Sequence, residues 1–222
     1  MPQIGRKSKN SGPSWVDDED VERRMQLATV QFRALEKLWS RASFIKLKTR
    51  LHTYNALVKS VLIYNAGTWG LRKETLDKID IFHRKHLRRI VGIRWPQRIS
   101  NNDLYKLCNT ETLSSCITRL RWQLFGHVLR LDPYTPAQIA MDFYCTKSSC
   151  KIKQGRAKTT LPVVLLNEFH EYKQSLKKST YRQEHKTALK ELRKLANDRT
   201  KRRGIIDKIM SITSSNSVDT TV

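Results

Sequence analysis

Between Leu113 and Leu131 the apolar residues Leu113, Ile117, Leu120, Leu124, Val128 and Leu131 fall at steps of three and four. Side chains at that spacing gather on one face of an α-helix, whereas a half-buried strand requires strict alternation. The pattern recurs along the chain. Met25, Ala28, Phe32, Leu35 and Trp39 predict one helix, and Leu47, Leu51, Tyr54, Val58, Val61 and Leu62 a second. A third carries Leu76, Ile79, Phe82, His86 and Ile90, closes before Gly92, and is blocked from continuing by Trp95-Pro96. Ser100 and Asp103 have the spacing of a capping pair, opening a short helix to about Cys108. Asp132-Pro133 stops the long stripe, and Pro136 opens a helix to about Tyr144. Only 8 Gly and 6 Pro interrupt 222 residues, and no segment alternates, so the expected fold is all-α.

The stripes and the gaps between them divide the chain. Residues 1–14 are polar and expected to be disordered, and 15–145 form a helical bundle. Asp17, Asp18, Glu19 and Asp20 suit the start of its first helix, where carboxylates meet free N–H groups and the positive dipole end. Residues 146–160 hold Lys147, Lys151, Lys153, Arg156 and Lys158 with no acid and no apolar period, which reads as a basic linker. A small helical segment, 161–212, follows. Leu161, Val164, Leu165, Glu168, Phe169 and Tyr172 share one helix, and Tyr181, His185, Ala188, Leu189, Leu192 and Ala196 a second. Ile205, Ile206 and Ile209 mark a short third, and 213–222 is a frayed tail.

Lys plus Arg number 43 against 20 Asp plus Glu, a net charge of +23. A field of that size draws polyanions, nucleic acid first and acidic protein or membrane second. The densest cluster is on the third helix. There Arg84 with Arg88, and Lys85 with Arg89, are like-charge pairs at i,i+4 that repel in an isolated helix. A phosphate backbone along that face relieves the repulsion, although a plain solvated face fits the same residues. Arg119, Arg121, Trp122 and Arg130 flank the long stripe, and Lys153, Arg156 and Lys158 extend the basic set. Trp122 can stack on a base or serve as core, and His127 reads as a packed histidine. The expected partner is RNA or DNA held by its phosphates with little base readout; the preference between them and the oligomeric state stay open.

No apolar run nears the roughly 20 residues that span a bilayer, and no secretory pattern opens the chain. Cys108, Cys116, Cys145 and Cys150 are therefore expected as reduced thiols, and the chain as intracellular, nuclear or cytoplasmic. Cys145 and Cys150 with His170 and His185 are spaced too loosely for a zinc finger, so neither metal nor cofactor is expected. No Walker loop, nucleophile elbow or His-Glu-x-x-His motif offers a catalytic site.

Three segments in order carry a resemblance: Tyr64-Asn65-Ala66-Gly67-Thr68-Trp69, Arg88-Arg89 through Trp95, and Gly126-His127-Val128-Leu129-Arg130. With Ser14-Trp15, Arg98-Ile99-Ser100-Asn101 and Gly155-Arg156-Ala157-Lys158-Thr159-Thr160, they resemble the post-palm region of LINE-type (non-LTR) retrotransposon reverse transcriptases over roughly residues 14–170. Asn65, Gly67 and Ala157 depart from that family's usual Gly, Glu and Pro. The resemblance implies a thumb-like bundle and C-terminal region of an RNA-directed DNA polymerase, gripping template, primer and element RNA. It also implies a chain without the catalytic palm, a truncated or domesticated retrotransposon product. Two other readings remain: a basic helical protein for an acidic protein partner, and a relic without function.

Val16-Asp17-Asp18 looks like the polymerase's metal-binding pair, but that pair sits in a hairpin between apolar strands, and here a helix follows at once. Primer extension with the purified chain, magnesium and all four nucleotides is expected to give no product above blank. Extension abolished by Asp17→Asn with Asp18→Asn would overturn the helix-start reading.

Overall fold

A computed structural model describes residues 15–40, 44–146, 160–175 and 185–218, and every regular element in them is helical. Residues 1–14, most of the basic linker with Lys153, Arg156 and Lys158, and the end of the tail lie outside the described residues, as do Tyr181, Cys150 and the Cys145 side chain. In chain order the elements are α1 (Trp15–Ala34), α2 (Glu36–Ser40) and α3 (Leu47–Tyr54). A π-helical turn, Asn55–Lys59, carries α3 into α4 (Ser60–Leu62), and a 3₁₀ turn, Ala66–Thr68, follows. Then come α5 (Lys73–Val91), α6 (Asn101–Leu107), α7 (Leu113–Val128), α8 (Pro136–Thr146), α9 (Leu161–Ser175), α10 (His185–Asn197) and α11 (Arg199–Val218).

Two boundaries differ from the sequence pattern. The helix expected to run through Trp39 breaks at Leu35, because Trp39 folds back on Phe32. Its ring stacks there at 5.0 Å, and its Nε1–H donates to the Phe32 carbonyl at 2.9 Å. The short last helix is instead α11, reaching Val218 through residues expected to fray. Elsewhere the stops fall as expected. Gly92 caps α5 at φ 93°, in the left-handed region, and Ser100 Oγ accepts the Asp103 N–H at 3.1 Å.

Apolar side chains collect in two clusters. The first joins α1 to α6 and the start of α7, with Phe32, Tyr54, Val58, Leu62, Ile79, Leu87, Ile90, Leu104, Leu113 and Ile117 buried. The second packs Trp122, Phe125 and Leu129 of α7 against Leu165, Phe169, Leu192, Ile205, Ile206 and Ile209. Helix α7 thus serves both, with its faces offset, where the sequence suggested one stripe; Leu124 of that stripe is exposed. Its start is fixed from α5. Asp80 Oδ1 accepts the N–H groups of Leu113 at 2.7 Å and Ser114 at 3.1 Å, and Oδ2 accepts the Ser114 hydroxyl at 2.6 Å. Burial pushes the Asp80 carboxyl up, and these bonds oppose it.

The acidic start of α1 does more than meet its own helix end. Asp17 accepts the Gly70 N–H, Asp18 accepts Arg72 and Thr75, and Asp20 accepts Trp69 Nε1, binding α1 to residues 69–75. This segment lies against backbone on its other side. A Cβ at Gly67 would stand 3.1 Å from the Leu120 carbonyl oxygen, and one at Gly70 only 2.5 Å from the Leu161 nitrogen. Gly67, Trp69 and Gly70 are therefore packing positions, whereas Tyr64, Asn65, Arg94, Trp95, His127 and Arg130 are exposed.

Two histidines sit inside the first cluster. His83 Nδ1 and the Tyr54 hydroxyl are 2.9 Å apart, and the His86 ring stacks on Phe32 at 4.1 Å. Burial, then the charges of Lys59, His86 and Arg84, lowers His83 to about 3; burial, then Lys85 and Arg89, lowers His86 to about 4. In the unfolded chain both titrate near 6.5, so on acidification the unfolded state takes up protons first. Their contribution to stability is whole above about pH 6.5 and declines toward pH 4, by about 1.4 kcal/mol per pH unit for each histidine. Urea denaturation from pH 7 to pH 4 is expected to follow that slope, and His86→Phe is expected to remove about half of it. An unchanged slope in His86→Phe would mean that His86 is charged in the native state.

Candidate nucleic-acid interface

Helix α5 buries Ile79, His83, His86, Leu87 and Ile90, which leaves one stripe for solvent. Glu74, Lys78, Ile81, Lys85 and Arg89 are exposed at steps of four, three, four and four. From Lys78 to Arg89 the stripe is about 16 Å long at 1.5 Å per residue. Beyond the Gly92 cap, exposed Arg94 and Arg98 continue the basic character. At its other end the stripe borders a furrow of about 400 Å³, where Asp18, Glu19, Glu22 and Glu74 stand with Arg72 and with Lys78 itself.

The cluster read from the sequence divides. Lys85 and Arg89 face outward. Arg89 pairs with Glu36 at 2.6 Å, and both ends are exposed, so that pair holds little energy and is open to exchange. Arg84 and Arg88 turn toward α6 and are half-buried. Arg88 Nη2 donates to Asn101 Oδ1 at 2.7 Å, and the Arg84 charge opposes the burial that raises the Asp80 carboxyl. Their i,i+4 repulsion is thus answered inside the protein, which corrects the expectation that all four share one anion-facing surface.

On α7 the correction is larger. Arg121 is 0% exposed and ion-paired to Glu168, and Trp122 Nε1 donates to the other Glu168 oxygen at 2.7 Å. Neither reaches a phosphate or a base. Both serve the second cluster, where Arg121 needs a buried counter-charge and the indole one acceptor. Burial raises the Glu168 carboxyl, while Arg121 and the Trp122 bond pull it back. Arg119 is half-exposed and ion-paired to Glu111. Arg130 is exposed, and so is His127, which the sequence suggested was packed. Gly126 of the same motif lies against Arg202, whose Cδ would be 3.0 Å from a Cβ there.

Sequence reasoning passed over Lys78, Arg94 and Arg98. The signal for Lys78 was available, since it lies seven residues before Lys85, on the same helical face. Among the described residues no group of three or more His, Cys, Asp or Glu could hold a metal ion, and no helix is long and apolar enough to cross a membrane. Comparison with protein-family models, curated proteins and solved structures gives no match.

Glu168→Gln strands the Arg121 charge in an apolar cluster and is expected to lower the unfolding free energy by about 3–5 kcal/mol in urea denaturation. Arg121→Met with Glu168→Leu is expected to recover most of that loss. A single variant within about 0.5 kcal/mol of the parent would show that the pair is not buried in solution.

Proposed function

We propose that this chain is a nucleic-acid-binding module that grips phosphates through the outer face of α5, as the thumb and C-terminal part of a LINE-type reverse transcriptase. The observation that supports it is the exposed stripe of Lys78, Lys85 and Arg89, continued by Arg94 and Arg98. Over its length of about 16 Å one B-DNA strand presents about five phosphates, enough to meet each cation. Contacts of this kind position a strand without reading its bases. The ordered set of segments resembling that family supplies the origin, and RNA or DNA the partner class.

Lys78→Gln with Lys85→Gln and Arg89→Gln is expected to lower the slope of log affinity against log salt by about two to three units. Different sequences are expected to weaken about equally, and helical circular dichroism to survive because all three side chains are exposed. Unchanged affinity and slope would remove α5 as the interface. Saturable binding to an acidic protein with no affinity for RNA or DNA would replace the reading altogether.

A further inference from the structure

Between α5 and α6 the chain forms an arch fixed at both feet. Ile93 and Ile99 pack against the first cluster. The N–H groups of Gly92 and Ile93 both donate to the Arg88 carbonyl at 3.0 Å, and the Arg88 side chain holds Asn101 across the base. A bond from the Gln97 N–H to the Arg94 carbonyl, 2.8 Å, closes the turn. Residues 94 to 98 (Arg94, Trp95, Pro96, Gln97 and Arg98) are all exposed.

Trp95 is 87% exposed, while Trp39, Trp69 and Trp122 are buried. Indole is among the largest apolar surfaces a chain carries, and it is ordinarily turned inward or toward a partner. Here a fixed turn holds it in water between two arginines that make no ion pair among the described residues. No acid stands in the arch, and Pro96 is its one aliphatic ring, set between cations, so an apolar protein surface is a poor complement. A flat ring beside two free cations matches a base with its neighbouring phosphates.

We propose that this arch is a stacking platform for one unpaired base of a single-stranded nucleic acid, with Arg94 and Arg98 on the adjoining phosphates. It rests on the nucleic-acid reading above and adds the state of the strand. In a duplex the base faces are closed by their neighbours, so only a strand that can turn a base outward uses the Trp95 face.

The test compares a labelled oligouridylate with a labelled RNA duplex by fluorescence anisotropy. Trp95→Ala is expected to weaken oligouridylate binding about 5- to 150-fold, the contribution of one stacked base, and Trp95→Phe to retain most of the affinity. Duplex binding is expected to stay unchanged. Arg94→Gln with Arg98→Gln is expected to lower the single-strand salt slope by about 1.4. Oligouridylate is expected to quench tryptophan emission in the parent chain, and the quench to be lost in Trp95→Ala. If Trp95→Ala keeps full single-strand affinity, or weakens both ligands equally, the platform is wrong and the α5 interface stands. A parent chain that binds only duplex also overturns the platform and leaves the α5 interface standing, and one that binds neither ligand overturns both.

Discussion

The carboxylate of Asp80 decides where α7 begins, and both apolar clusters depend on α7. A buried carboxylate is costly to keep, and the Leu113 and Ser114 donors make it tolerable by filling its lone pairs. In return it occupies amide groups that the first turn of α7 would otherwise leave free. Displacing α7 by one residue turns it about 100°, taking Ile117 out of the first cluster and Phe125 out of the second. The same helix that holds Asp80 inside presents Lys78 and Lys85 outside. The spacing of the basic stripe is therefore set by the packing of the opposite face.

The helical class and most helix ends were readable because they rest on local chemistry. Gly92 ends α5 and Ser100 opens α6 for reasons contained within a few residues. What escaped was decided between distant segments. A charged residue beside an apolar stripe normally faces water, so Arg121 read as surface; only Glu168, forty-seven residues later, makes its burial possible. One clue did exist, since Glu168 lies within the apolar stripe of α9, between Leu165 and Phe169. Periodicity also treats a helix as having one buried face, and α7 has two.

Acidic side chains are committed largely to internal ties. Asp17, Asp18 and Asp20 hold residues 69–75, Asp80 holds α7, and Glu168 holds Arg121 and Trp122. Arg193 with Asp142 joins α10 to α8, and Lys173 with Glu191 joins α9 to α10. Each carboxylate paired in this way also withdraws a cation, as with Arg72, Arg121, Arg193 and Lys173, so the net charge of +23 that a polyanion meets is carried by the cations left unpaired at the surface.

The bonds from α1 to residues 69–75 also impose an order on folding during synthesis. Asp17 and Gly70 are fifty-three residues apart, so the first helix leaves the ribosome well before its anchor exists. At about 5–20 residues per second, that interval lasts roughly 3–10 s. Through it α1 carries its acids and its buried face unpartnered, beside a nascent chain of opposite charge and on a ribosome made largely of RNA. Asp17, Asp18 and Asp20 stay hydrated through that wait, and their ties to residues 69–75 close only once that stretch has been made.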